Sequence, residues 1–86
     1  MKNSNGYTLT KKIAALNSET IHTAFETPIS ELDYILWLDL AKKNNICGIK
    51  QEMDYDNGLT TTKTHWLEDA PGCTVWMTLT MRAEEL

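Results

Sequence analysis

The sequence has few of the residues that mark disulfide-rich or membrane-embedded proteins. Its two cysteines, Cys47 and Cys73, both fall in predicted strands, so we expect reduced, partly buried thiols rather than a disulfide framework. No run approaches the roughly 18 apolar residues of a membrane span, and residues 1–6 lack the apolar segment of a signal peptide. We therefore expect a single cytoplasmic domain that covers residues 1–86.

Basic residues are also scarce, since eight lysines and arginines stand against twelve acids. They form no stripe, which argues against nucleic-acid binding. Between Lys12 and Lys42 the chain has no lysine or arginine but carries five acids: Glu19, Glu26, Glu31, Asp33 and Asp39. Such a run is usually a solvated face, and the functional alternative is a surface that attracts a basic partner.

Catalytic motifs are missing as well. The sequence contains no serine elbow, no glycine-rich phosphate loop and no His-Glu-x-x-His, so we expect neither an enzyme nor a cofactor. The potential metal ligands lack the short spacings of a zinc site, and a zinc enzyme is therefore a disfavoured alternative: His22, Cys47, His65 and Cys73. We predict no metal site.

Two turns divide the last third of the chain into three predicted strands. The first is Asn57-Gly58, because both central residues of a type I′ hairpin need positive φ and Asn followed by Gly tolerates this best. The second contains Pro71-Gly72. These turns predict antiparallel strands over residues 46–56, 59–67 and 73–81, of which the last alternates apolar side chains mainly with threonines.

Thr27-Pro28 predicts the start of one long helix, with Thr27 as N-cap and Pro28 at the first helical position. The helix should end near Lys43, where lysines meet the negative end of the helix dipole. We expect a stripe at helical spacing to lie on the sheet: Ile29, Leu32, Ile35, Leu36 and Leu40. Other apolar residues point elsewhere and should pack against a second element or, alternatively, face a partner: Tyr34, Trp37, Leu38 and Ala41.

Residues 19–26 alternate and include several β-branched side chains, which predicts a short strand at an edge of the sheet. Edge strands carry unpaired backbone groups and can dock another protein. Residues 7–16 fit either a weakly alternating strand or a short helix capped by Thr10, and we favour the helix.

The sequence does not determine which side chains of the strand over residues 59–67 point toward the core. The turn that follows this strand can place Trp66 beside Val75 and Leu79 or beside Trp76. Taken together, the patterns predict an α+β fold. It consists of a twisted antiparallel β-sheet of about five strands, with one edge strand near 19–26 and a meander over 46–81, packed against one or two helices.

Several short motifs, in the same order and at similar spacing, resemble the uracil-DNA glycosylase inhibitor family of bacteriophages. Leu67-Glu68-Asp69-Ala70-Pro71 is followed by four residues and then Trp76, and Tyr55-Asp56 lies fourteen residues upstream of Asp69-Ala70. Glu19-Thr20-Ile21 is similar to the family's Glu-Ser-Ile edge strand, and an acidic helix with an initial proline follows it.

The resemblance implies a protein inhibitor that mimics DNA and forms a one-to-one complex with uracil-DNA glycosylase in the host cytoplasm. It implies a monomer when free, with no contact to nucleic acid or membrane. The partner-binding edge strand would be Glu19, Thr20 and Ile21, with Glu31 and Asp69 as outlying acids. An apolar pocket would enclose the enzyme's protruding leucine, and its candidate residues are Leu32, Ile35, Leu36, Ile49, Met53, Trp66 and Leu79.

The alternative function is an acidic, phage-type interaction protein that blocks a different DNA-binding host enzyme. It would use the same acidic edge, and binding assays would distinguish it from a glycosylase inhibitor.

Overall fold

The computed structural model describes residues 6–17, 19–44, 48–68 and 70–84. Across these residues the elements follow in the order β1 (Gly6–Ala15), β2 (His22–Ile29), α1 (Glu31–Asn44), β3 (Lys50–Asp56), β4 (Leu59–Glu68) and β5 (Cys73–Glu84). The strands form one antiparallel sheet in the order β2-β1-β5-β4-β3, and α1 packs over β1 and β5. The predicted α+β fold, a twisted antiparallel sheet backed by a helix, is confirmed.

The first strand corrects the helix that the sequence favoured for residues 7–16. β1 lies between β2 and β5 and pairs with both along most of its length. Tyr7, Leu9 and Ile13 share the face that packs against α1, and Leu9 is buried there. Two strand neighbours outweigh the moderate helix propensity of the Lys-Ala segment, because strand preference depends strongly on the neighbouring strands.

The two predicted turns are confirmed by their backbone angles. Asn57 and Gly58 have φ values of 50° and 80°, as a type I′ hairpin requires, and the flanking strands β3 and β4 pair from Asp56 and Leu59 onward. Gly72, with φ of 76°, turns the chain into β5. β5 continues to Glu84 and so runs beyond its predicted end at residue 81.

The connection from β2 to α1 differs from the prediction. β2 is an edge strand as expected, but Thr27 and Pro28 belong to it and do not start the helix. An edge strand tolerates proline because the missing N–H need not break the ladder. Ser30 is the N-cap instead, since its Oγ accepts a hydrogen bond from the Asp33 N–H at 3.1 Å.

The face of α1 that meets the sheet is opposite to the predicted one. Tyr34 and Ala41 are buried, and Trp37 and Leu38 are half-buried against the same core. The predicted stripe lies on the outer face, except for Ile29, which ends β2 and packs against the core: Leu32, Ile35, Leu36 and Leu40. Both faces carry apolar residues, so helical spacing alone could not select one.

Two contacts favour the observed face of α1. The Tyr34 ring lies against the Tyr7 ring of β1, with centroids 4.8 Å apart and an interplanar angle of 42°, a tilted arrangement that aromatic pairs prefer. Ala41 is small, which lets the helix backbone approach the sheet closely. A longer side chain at that position would hold α1 away from β1 and β5.

The core lies between α1 and the central strands. Leu79 and Met77 of β5 are almost fully enclosed, and Trp66 pairs with Met77 and therefore faces this core with Val75. The strand register thus shows which side chains of β4 point toward the core, a point that the sequence did not determine. Thr64 is also fully buried, and its hydroxyl oxygen accepts a hydrogen bond from Gln51 Nε2 at 3.1 Å.

Cys73 is a half-buried free thiol at the start of β5, whereas Cys47 lies outside the described residues. Within the described ranges no helix combines the length and the apolar character that crossing a membrane would require.

The orientation of α1 predicts that the same substitution has a large effect on stability at one residue and a small effect at its neighbour. Ala41→Glu should lower the free energy of unfolding by about 3 kcal/mol or more, because it buries an unpaired carboxylate. Leu40→Glu should change it by less than about 0.5 kcal/mol, because that side chain is exposed. Urea unfolding of both variants in dilute solution measures the difference. Equal losses would contradict this orientation.

Candidate protein-binding surface

The three residues predicted to form the partner-binding edge lie immediately before β2. Glu19, Thr20 and Ile21 are all exposed, and Ile21 is 57 % exposed. They precede the edge strand and are not part of it, because β2 pairs with β1 only from His22 onward. An exposed acid and an exposed apolar side chain therefore precede an open sheet edge.

β2 itself offers a backbone surface to a partner. Its other side has no strand neighbour among the described residues, so alternate N–H and C=O groups face outward. Side chains from His22 to Pro28 are exposed, and Glu26 Oε1 accepts a hydrogen bond from Thr10 Oγ1 at 3.4 Å. Such an edge can accept an added strand.

The structure separates the predicted acids. Glu31 is the first residue of α1, whereas Glu19 precedes the other end of β2, which places the two roughly 25 Å apart along an eight-residue strand. Tyr7 donates its hydroxyl hydrogen to Glu31 Oε2 at 2.9 Å, so this carboxylate links α1 to β1. Asp69 lies outside the described residues.

The seven residues predicted to form the apolar pocket are not brought together. Leu79 and Trp66 are buried core residues, and Ile49 is half-buried beside them. Met53 is 71 % exposed on β3. The helix members lie on the outer face of α1, directed away from the sheet: Leu32, Ile35 and Leu36. The pocket between helix and sheet that the sequence suggested is therefore filled by other side chains of α1.

An open groove of about 310 Å³ instead lies where β4 extends past the start of β3. β3 begins at Lys50, opposite His65, so the end of β4 has no described strand partner on that side. The groove includes two of the predicted pocket residues, Ile49 and Trp66, and its full lining is Gly48, Ile49, Lys50, His65, Trp66, Leu67 and Trp76. Two tryptophans, a leucine and an isoleucine give it a mostly apolar wall.

An acidic row on β3 is the main feature that the sequence reasoning missed. Glu52, Asp54 and Asp56 alternate along the strand, so they point to the same side of the sheet, and all three are exposed. Successive members are about 7 Å apart along the strand. The signal was present as Glu-x-Asp-x-Asp within a predicted strand.

The basic residues on the same face as the acidic row lie mainly near its Glu52 end: Lys50 precedes Glu52 by two residues, and Arg82 of β5 lies beyond Thr61. Lys63 lies opposite Glu52, but the residues opposite Asp54 and Asp56 are Thr61 and Leu59. β3 is an edge strand, so its other side has no described strand. Asp56, at the far end of the row, therefore has the fewest basic neighbours, and the negative potential is concentrated there.

His65 connects the groove to the acidic row. Its Nε2 atom lies 2.8 Å from Glu52 Oε1, and its Nδ1 atom is 3.0 Å from Thr78 Oγ1. The Nε2 atom is shielded from solvent, and its contact with Glu52 is a short polar approach without the alignment of a hydrogen bond. His65 thus lines the groove, and Glu52, the first acid of the row, lies beside its rim.

The residues considered for zinc lie apart. His22 is on β2 and His65 on β4, and β1 and β5 lie between these two strands. Among the described residues, no three His, Cys, Asp or Glu side chains converge as metal ligands would.

In comparisons with known proteins, no family model, no curated protein and no solved structure matches this chain.

The bond between Tyr7 and Glu31 predicts an alkaline pH effect. The hydrogen bond to Glu31, then desolvation and the carboxylate charge, raise the pKa of Tyr7 above its ordinary value of 10.0. A raised pKa means that the folded state favours the protonated phenol, so this stabilisation is present at neutral pH and is lost as pH rises through the raised value.

Glu31→Gln should therefore lower the pKa of Tyr7, because the amide keeps the size of the side chain and removes its charge. The NMR chemical shifts of the Tyr7 ring carbons, followed against pH, measure this pKa. The difference in Tm between wild type and variant should shrink above about pH 10. Asp33→Asn is the matched control, since Asp33 lies in the same helical turn but is not the acceptor of the Tyr7 hydroxyl. An unchanged pKa of Tyr7 in Glu31→Gln would refute this cause.

Proposed function

We propose that this protein inhibits a uracil-DNA glycosylase by mimicking DNA, and that it is a binding protein rather than an enzyme. An acidic sheet edge would occupy the enzyme's DNA-binding groove, and the apolar groove would accept the enzyme's protruding leucine. The observation that carries the proposal is the direct connection of these two features through His65 and Glu52, whose side chains approach to 2.8 Å. The motif resemblance supplies the identity of the target.

The target's own chemistry explains why both features are useful. An enzyme that extrudes a base from duplex DNA holds phosphates in a positively charged groove. It also inserts an apolar side chain into the base stack. A protein that offers regularly spaced carboxylates and an apolar receptacle competes for both elements without entering the uracil pocket.

The acids and the groove would contribute differently to the complex. Exposed ion pairs contribute about 0 to 1 kcal/mol each, so the acidic row should mainly accelerate association. Burial of one leucine contributes about 2 to 3 kcal/mol. The groove, of about 310 Å³, is open to solvent on one side, so it would cover part of one aliphatic side chain and contribute less than full burial. The groove should therefore slow dissociation.

The sheet has two edge strands that carry acids, β2 and β3. Four interstrand steps separate β2 from β3, or about 19 Å. The motif resemblance favours the segment 19–21 before β2, whereas the apolar groove lies beside β3. We assign the primary contact to the β3 edge, because there the acids and the groove form one continuous surface.

The first test is uracil excision from a labelled oligonucleotide by a bacterial uracil-DNA glycosylase, titrated with this protein. We expect activity to fall to background at one equivalent. Undiminished excision at large excess would refute the proposal. Retained capture of another DNA-binding enzyme would then favour the alternative of an acidic protein that blocks a different target.

A second test separates the two edges. Replacing the acidic row by amides (Glu52→Gln, Asp54→Asn, Asp56→Asn) should slow association at low salt and have little effect at high salt, because it removes electrostatic steering. Glu19→Lys should do the same if residues 19–21 also approach the enzyme. Stopped-flow association with the glycosylase at several salt concentrations measures both effects.

Leu67→Ser tests the groove, since Leu67 lines it and is 43 % exposed, so its replacement should not unfold the protein. We expect about tenfold faster dissociation at every salt concentration. Asp39→Asn on α1 is the control for loss of a single charge. If the amide variant and Leu67→Ser both bind with wild-type kinetics, the β3 edge is excluded as the contact with the glycosylase. If only Glu19→Lys binds more slowly, the contact is instead at the segment before β2.

A further inference from the structure

The free edge of β3 presents backbone hydrogen-bonding groups at every second residue. In a two-residue hairpin the residues that flank the turn exchange backbone hydrogen bonds, so the N–H and C=O groups of Asp56 point toward β4. The register from Asp56 back to Lys50 has no bulge, and the direction of these groups alternates along a strand. The N–H and C=O groups of Gln51, Met53 and Tyr55 therefore point to the side on which no described strand lies.

The side chains along this edge differ between the two faces of the sheet. Met53 and Tyr55 lie on the face that α1 partly covers, and they are 71 % and 65 % exposed. Asp54 and Asp56 lie on the opposite face. Within the described ranges neither aspartate takes part in an ion pair. The edge thus combines exposed apolar side chains on one face with available negative charges on the other.

This pattern indicates a partner strand in which basic residues alternate with apolar ones. In an antiparallel ladder the acids of β3 would fall at the non-hydrogen-bonded positions, where facing Cα atoms are only about 4.5 Å apart and opposite charges stabilise the pair. A second copy of β3 does not fit, because pairing about Met53 would set Glu52 of each copy opposite Asp54 of the other. The charges therefore select a basic segment of a different protein.

We propose that β3 binds an extended segment of its protein partner as an added antiparallel strand, in which lysines or arginines alternate with apolar residues. The basic side chains would lie opposite Asp54 and Asp56, since Glu52 is already in contact with His65. The apolar side chains would cover the exposed residues of the other face. This inference rests on the proposed function for the identity of the partner enzyme, whereas the manner of binding follows from β3 alone.

The experiment is binding of a synthetic peptide to the full chain, followed by fluorescence anisotropy. The probe is a fluorescently labelled, C-terminally amidated peptide of three Lys-Val repeats. Its control has the same composition, with the lysines and the valines in separate blocks. We expect a Kd below about 1 mM for the alternating peptide and about tenfold weaker binding of the block peptide.

Amide hydrogen exchange locates the added strand. At saturation with the alternating peptide, exchange should slow about tenfold or more at Gln51, Met53 and Tyr55, whose N–H groups point outward. Exchange at Glu52 and Asp54 should change much less, because their N–H groups already point toward β4.

Two changes test the backbone hydrogen bonds. Met53→Pro removes an outward N–H and spares the ladder between β3 and β4, so the variant should stay folded by circular dichroism and bind about tenfold more weakly. N-methylation of the peptide's valines should weaken binding similarly without altering the protein. N-methylation of its lysines should not, because their N–H groups point away from β3 in an antiparallel pairing.

The charge contribution is tested by Asp54→Asn with Asp56→Asn, which should weaken peptide binding at low salt and have little effect at high salt. Asp39→Asn on α1 is the control and should bind as the wild type does. An alternating peptide that does not bind, or that binds equally after methylation of its valines or its lysines, would overturn the inference even if uracil excision is inhibited. The expected peptide binding together with undiminished excision would support the inference and refute the glycosylase as the partner.

Discussion

The pairing of β1 with β5 is the contact on which the rest of the structure depends. It joins strands from opposite ends of the chain in the middle of the sheet, with Leu9 opposite Leu79 and Ile13 opposite Val75. This pairing creates the central apolar surface on which α1 packs. Because the first and last strands take the centre, β2 and β3 become the two edges.

The position of the edges then determines which strands expose unpaired backbone groups. β2 and β3 both carry acids and exposed side chains, and β2 also contains Pro28, features that discourage a sheet edge from pairing with a second copy. The same acids make the edges attractive to a basic protein. The outer face of α1 has the opposite character, since it carries a stripe of exposed apolar side chains. The molecule thus separates acidic sheet edges from an apolar helix face.

Much of the fold could be predicted because it follows from local chemistry. Asn57-Gly58 requires a tight hairpin wherever it occurs between strands, and the apolar alternation of β5 identifies its buried face without knowledge of its neighbours. The candidate site was predicted less well. Local spacing places the acids of β3 on one side of a strand, but that this strand is an open edge depends on the pairing of β1 with β5.

Short-range spacing in the sequence is sufficient to predict the α+β class, the meander, the two turns and an edge strand followed by one long helix. Contacts between distant segments are needed to establish that β1 is a strand, which face of α1 is buried, and that Trp66 and Ile49 line a groove beside Glu52 of β3. The physical reason is the same in each case. A segment such as residues 7–16, or a helix with apolar residues on both faces, has two local solutions of similar free energy, and the contact with distant strands selects one.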